Sequence, residues 1–141
     1  MKKILINSKN EMADLAKEIA ASANIGDVIG LRGTLGCGKT FFAKNFINSL
    51  QEKKSEILSP TFNLVYSYPT KKGEIFHFDL YRLKSEQELE NIGFFDSLRN
   101  GISLIEWPEI AQKFLRKNYT EIEIKILDGE EKREILISKN T

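Results

Sequence analysis

The residues Gly33-Thr34-Leu35-Gly36-Cys37-Gly38-Lys39-Thr40 constrain this chain more than any other stretch. They spell G-x-x-x-x-G-K-T between an apolar run, Val28-Ile29-Gly30-Leu31, and an amphipathic pattern that begins at Phe41. Strand, glycine-rich loop and helix, in that order, are the context in which this motif cradles phosphate. Glycines let successive backbone N–H groups turn toward phosphate oxygens, a lysine reaches the terminal phosphates, and a threonine hydroxyl takes a position on Mg²⁺. The helix then sets its positive dipole end against the anion. Residues 33–41, ending at Phe41, are therefore read as a nucleoside triphosphate site, with Lys39 on the phosphates and Thr40 on the metal.

The rest of the composition limits what can surround such a site. A chain of 141 residues suits one domain, 1–141, large enough for a real core but small for an enzyme that must also enclose a second substrate. Its 21 Lys and Arg against 20 Asp and Glu give none of the positive excess of an autonomous nucleic-acid binder, so any link to RNA is expected through a partner. The single cysteine excludes an internal disulfide and a cysteine-based zinc site. Met1-Lys2-Lys3 leads into three apolar residues, too few for a signal-peptide core or a membrane span, and a cytoplasmic location is expected.

The phosphate loop points to a fold of the P-loop NTPase type, and the periodicity around it predicts an α/β domain with a mixed central sheet flanked by helices. Ile4 to Ile6 reads as a strand, Glu11 to Ala21 as a helix and Asp27 to Arg32 as the strand feeding the loop. Phe42, Ala43, Phe46, Ile47 and Leu50 give the next helix an apolar stripe. Runs from Phe62 to Tyr68 and from Glu74 to Asp79, joined by Pro69-Thr70-Lys71-Lys72-Gly73, predict a hairpin, which makes the sheet mixed. Ser85-Glu86-Gln87-Glu88 reads as a capping box opening a short helix, Ile102 to Ile105 as a buried strand, and Pro108 as the first-turn residue of a helix to Leu115. Alternation over Thr120, Ile122, Ile124 and Ile126, a turn at Asp128-Gly129 and a strand around Ile135 to Ile137 complete the pattern.

That reading places two carboxylates, Asp79 and Glu106, at the ends of apolar strands. Ligands in open α/β sheets bind beyond the carboxyl ends of parallel strands, so both acids are candidates to hold Mg²⁺ or to position the attacking water. A solvated strand-end acid is the alternative for each. Thr61, in Ser59-Pro60-Thr61-Phe62, is placed to sense the γ-phosphate or its metal, or simply to sit in a turn before a strand. His77 has no second histidine to help bind metal and is read as structural or as a hydrogen-bonding strand residue, with a catalytic role as the alternative. Trp107 and Tyr81 follow near the two acids and serve a base, a partner surface or packing, and Arg82 a phosphate or a surface ion pair. Cys37, in a loop opening onto a helix N-terminus beside Lys39, is expected to react with alkylating reagents and to be shielded by nucleotide; a buried, inert cysteine is the alternative.

Taken together, the phosphate loop, Ser59-Pro60-Thr61-Phe62, His77-Phe78-Asp79-Leu80-Tyr81-Arg82 and Leu104-Ile105-Glu106-Trp107-Pro108-Glu109 resemble the TsaE family, formerly YjeE, over nearly the whole chain. The resemblance implies an ATPase that uses ATP and Mg²⁺, with Lys39 on phosphates, Thr40 and Glu106 on the metal, Asp79 as the second essential acid and Thr61 in a switch. It also implies partners, TsaD and TsaB, which transfer a threonylcarbamoyl group to adenosine 37 of tRNA, so that tRNA is met only through the complex. Two positions depart from the family's commonest pattern, Cys37 in place of alanine and Phe41 in place of a second threonine. The preference for adenine is implied by the resemblance, since the chain has no Asn-Lys-x-Asp guanine-reading motif.

A small-molecule kinase would share the loop but needs arginines in a lid, whereas Arg82, Arg99, Arg116 and Arg133 are scattered singly. A nucleotide-binding module without turnover would share every motif. Release of free phosphate, labelling of an acceptor, or unchanged ATP separates the three.

Overall fold

Strands as apolar as Val28–Arg32 and Gly101–Glu106 need cover on both faces. The computed structural model, which describes residues 1–115 and 118–140, supplies it with helices on either side of one mixed sheet. In chain order the elements are β1 (Lys2–Ile6), α1 (Lys9–Ser22), β2 (Val28–Arg32), α2 (Lys39–Leu50), β3 (Val65–Thr70), β4 (Gly73–Asp79), α3 (Gln87–Asn91), α4 (Phe94–Asn100), β5 (Gly101–Glu106), a 3₁₀ helix (Pro108–Phe114), β6 (Tyr119–Ile126) and β7 (Arg133–Asn140). Among the described residues the sheet order is β1-β7-β6-β2-β5-β4-β3. The central strands β6, β2, β5 and β4 are parallel, and antiparallel pairs β6–β7, β7–β1 and β4–β3 extend the sheet on both sides.

Period-2 alternation sorts the strand residues between two cores. Leu31, Ile75, Ile102 and Leu104 meet Phe42, Phe46 and Ile47 of α2 and the stripe Met12, Leu15, Ala16 of α1. On the other face Val28, Phe78 and Ile105 pack with Leu89 of α3, Phe94 of α4 and Ala111 of the 3₁₀ helix. Fully buried rings such as Phe42, Phe46, Phe78 and Phe94 each contribute about 1.5–3 kcal/mol through removal from water. Among the described residues no helix is long and apolar enough to cross a membrane.

Several boundaries differ from the sequence reading, each for a local reason. The strand expected from Phe62 starts at Val65, because Leu64 takes a left-handed φ of 71° and Phe62 stands in a turn, 82% exposed. The five-residue hairpin linker shrinks to Lys71-Lys72, with Thr70 paired to Gly73. Pro69 is tolerated inside β3 because β3 is an edge strand with no ladder on its outer side. Ser85 does not cap a helix: the N-cap of α3 is Glu86 without a side-chain bond, and Glu88 instead accepts from the Lys84 N–H at 3.2 Å. The working S-x-x-E pair is at α1, where Ser8 accepts from the Glu11 N–H at 3.1 Å and Glu11 accepts from the Asn7 N–H at 3.0 Å. The sequence reading did not separate α4 from α3; Gly93, at φ 72°, breaks the helix between them. The segment from Pro108 is helical as expected but wound as 3₁₀.

Lys72 locks the hairpin onto α1. Its ammonium donates to the carbonyls of Ala20, Ala21 and Ala23 at 3.2, 2.5 and 2.7 Å, supplying the positive charge that the last turn of α1 lacks.

Gly30, in the middle of the strand that feeds the phosphate loop, lies beneath Tyr119. A Cβ there would sit 2.2 Å from the phenolic oxygen and 2.8 Å from Cε1. Burial, and then the Glu121 carboxylate, push that hydroxyl above the ordinary tyrosine range. Gly30→Ala is expected to cost about 1–3 kcal/mol as overpacking. In a Tyr119→Ala background the same change should cost much less. Denaturant titration of the four proteins checks this, and equal costs in both backgrounds would remove the clash as the reason for glycine.

Candidate functional site

Three parallel strands end at one edge of the sheet and deliver the candidate groups there. β2 runs into the phosphate loop, β4 ends at Asp79 and β5 at Glu106; register sets Leu31 opposite Glu106 and Asp79 opposite Glu106. Since Ile75, Ile102 and Leu104 face α2, so by alternation do His77, Asp79 and Glu106. A concavity of about 250 Å³ is lined by Leu35, Gly36, Gly38, Lys39, Thr40, Phe41, Thr61, Asp79, Glu106 and Trp107.

The loop holds its shape through backbone that only glycine suits at two points. Gly33 has φ 150°, and a Cβ on it would lie 2.5 Å from the Cys37 sulfur and 2.6 Å from the Ile124 carbonyl oxygen. Gly38, at φ 119°, is the N-cap of α2 and offers no side chain to the helix end. The N-terminal N–H groups of α2 therefore lack a side-chain acceptor from their cap, as an anion site requires. Lys39 is 5% exposed and donates to the carbonyls of Gly33 at 2.7 Å and Thr34 at 2.9 Å, with its ammonium 4.2 Å from the centroid of the Trp107 ring.

The two acids are tied to different elements. Thr40 Oγ1 donates to Glu106 at 2.8 Å to Oε1 and 3.0 Å to Oε2, and His77 Nε2 lies 2.7 Å from Oε2. Asp79 accepts the Thr61 hydroxyl at 3.1 Å on Oδ2 and the Tyr81 N–H at 3.0 Å on Oδ1. Thr40, Glu106 and Asp79 offer hard oxygen donors, the chemistry that suits Mg²⁺. Among the described residues no group of three or more His, Cys, Asp or Glu could hold a metal alone.

Of the residues singled out in the sequence, Leu35, Gly36, Gly38, Lys39, Thr40, Phe41, Thr61, Asp79 and Glu106 line the concavity, whereas Gly33, Thr34 and Cys37 form the loop behind it. The expectation of an accessible Cys37 is corrected: it is 1% exposed, packed in the α1–α2 core, because the turn at Gly33 folds its sulfur inward. Arg82 lies over the exposed Phe62 ring, 5.3 Å from its centroid, rather than among the lining residues. Trp107 takes a left-handed φ of 57°, uncommon for a bulky residue, and packs against Tyr81 with ring centroids 4.6 Å apart and the planes tilted by 43°. Arg116 lies outside the described residues.

Two features had no strong sequence signal. Arg133, at the start of β7, donates to the Cys37 carbonyl at 2.8 Å and so ties the last strand to the phosphate loop across 96 residues. A second concavity of about 230 Å³ opens on the other side of the loop; Gly36, Gly38 and Phe41 line both, and Ser8, Met12 and Glu131 are among those lining the second alone.

Comparison with known proteins adds an independent line. Residues 6–135 match the family model "Threonylcarbamoyl adenosine biosynthesis protein TsaE". A protein of Rickettsia prowazekii named tRNA threonylcarbamoyladenosine biosynthesis protein TsaE is 41% identical over 124 residues, 88% of this chain and 86% of that one. An Aquifex aeolicus protein of the same name is 41% identical over 140 residues, 97% and 96% of the two chains. The crystal structure of Bacillus subtilis YdiB superposes with a TM-score of 0.76 at 30% identity, covering 99% of this chain and 86% of that one.

The geometry separates what two neighbouring loop residues should do. Lys39→Ala is expected to weaken binding of a nucleoside triphosphate even in EDTA, by about 10- to 100-fold for the loss of a charge-assisted donor. Thr40→Ala should remove mainly the gain produced by Mg²⁺. Calorimetric titration with and without the metal reads both, and equal losses for Thr40→Ala in EDTA would contradict its assignment.

Proposed function

The chain belongs to the TsaE family, and on that premise we propose that it binds and hydrolyses ATP with Mg²⁺ in support of N6-threonylcarbamoyladenosine formation on tRNA. One observation carries the ATPase part: Lys39, Thr40, Thr61, Asp79 and Glu106, drawn from four separate stretches of sequence, line a single concavity at the carboxyl edge of the parallel strands. The phosphates lie along residues 33–41, where Lys39 exchanges the Gly33 and Thr34 carbonyls for phosphate oxygens. Thr40 and Glu106 hold Mg²⁺, which when bound neutralises charge on the phosphates. Asp79 orients the attacking water, and Thr61, hydrogen-bonded to it, couples the 59–62 loop to the state of the site. The nucleoside end enters the second concavity, since Gly36, Gly38 and Phe41 border both spaces.

The pathway part rests on the family and on the printed names of the relatives. In this reading the chain acts in the cytoplasm as one domain on a complex of TsaD and TsaB and meets tRNA only through that complex. Its net charge of +1 supports an indirect contact with RNA.

Asp79→Asn and Glu106→Gln keep shape and remove charge. Metal-free ATP binding is expected to survive in both, whereas phosphate release in the presence of TsaD and TsaB should fall by about 10²–10³-fold, the scale of removed electrostatic positioning. Radiolabelled ATP reads the outcome: wild-type phosphate release that persists in both variants would refute these roles, and label passing to an acceptor would indicate a kinase.

A further inference from the structure

The Glu106 carboxylate is 3% exposed and is gripped from two sides, yet only one grip belongs to the phosphate loop. The other is His77, the chain's single histidine, fully buried on β4, with Nε2 2.7 Å from Glu106 Oε2. Its Nδ1 is buried without a hydrogen-bond partner among the described residues. An apolar side chain of similar size would fill this space without leaving a ring nitrogen bare. Packing alone therefore does not explain a histidine here.

We propose that His77 is a positioning residue for Glu106: it donates Nε2–H to Oε2 and so turns Oε1 toward Thr40. A carboxylate oxygen accepts here, so the ring carries a proton on Nε2. Two donors, one on Oε2 and one lying between Oε1 and Oε2, then fix the carboxylate rotamer before any nucleotide arrives. This is the outer-layer role that partners of metal-binding carboxylates play, where loss typically costs 10–100-fold in metal affinity or activity. The inference rests on the reading of Glu106 as a metal group.

Two measurements test it together. In the ¹⁵N-labelled wild-type protein, the lone histidine should give imidazole cross peaks of a ring protonated at Nε2, and Glu106→Gln should shift them; a ring protonated at Nδ1 alone overturns the proposal whether or not any variant folds. The second measurement is the ratio of affinities for a nonhydrolysable ATP analogue in Mg²⁺ and in EDTA. His77→Leu should lower this ratio about 10- to 100-fold. His77→Gln, whose amide can replace the Nε2 donor, should restore most of it. His77→Leu added to Glu106→Gln should lower it no further, because the two act through one contact. A merely structural histidine would instead lower the melting temperature and act additively, with no rescue by Gln, and that result overturns the proposal. If Glu106→Gln keeps the wild-type ratio, the metal reading itself fails and the positioning role falls with it. If Glu106→Gln loses the ratio while His77→Leu keeps it, only the positioning role fails.

Discussion

Two opposite charges are held almost out of water at the carboxyl edge of the sheet, the Lys39 ammonium and the Glu106 carboxylate. Removing a charge from water is costly unless the surroundings replace what water gave. Much of the local architecture does that. Gly33 and Thr34 turn their carbonyls onto Lys39, and Trp107 turns a ring face to it. Thr40 and His77 share the oxygens of Glu106. Trp107 takes a left-handed backbone, which costs a non-glycine residue about 1–3 kcal/mol, and its ring contacts both Lys39 and Tyr81.

This arrangement couples folding to chemistry. The carbonyls that hold Lys39 belong to the loop that leads into α2, so under the proposed function a phosphate that drew the lysine away would also loosen the loop's internal bonds. Asp79, tied to Thr61 and to the Tyr81 N–H, links the site to a loop that carries the exposed Phe62. Under the proposed function, a change at the phosphates would thus have a short covalent and hydrogen-bonded route to the surface.

Much of the fold was legible because it rests on periodicity. The loop, the mixed sheet, and helices before and after β2 follow from apolar spacing and from where glycine and proline stand. What the sequence reading missed was local competition. Two S-x-x-E patterns are identical on paper, but Ser8 caps α1, whereas the first turn of α3 is already served by the backbone, with the Leu89 N–H on the Glu86 carbonyl. The start of β3 was misplaced because nothing in Phe62-Asn63-Leu64 signals a left-handed leucine. In the site, strand-end acids were visible as a pattern. The contact of His77 with Glu106 was not, since it joins residues 29 apart through register between two strands. The inward turn of Cys37 depends on the three-dimensional path of the loop at Gly33, which composition does not encode. Arg133 reaches the loop from the far end of the chain and left no local trace.

The central claim is that Lys39 and Thr40 exchange their internal partners for a Mg²⁺–triphosphate, while Glu106 gives up Thr40 and keeps His77. A crystal structure with a nonhydrolysable ATP analogue and Mg²⁺ tests it most directly. The account predicts Lys39 on phosphate oxygens and released from the Gly33 and Thr34 carbonyls, Thr40 Oγ1 on the metal, Glu106 still held by His77, and the base in the concavity that contains Met12. Nucleotide bound elsewhere, or bound here with the Lys39 and Thr40 contacts unchanged, would contradict it.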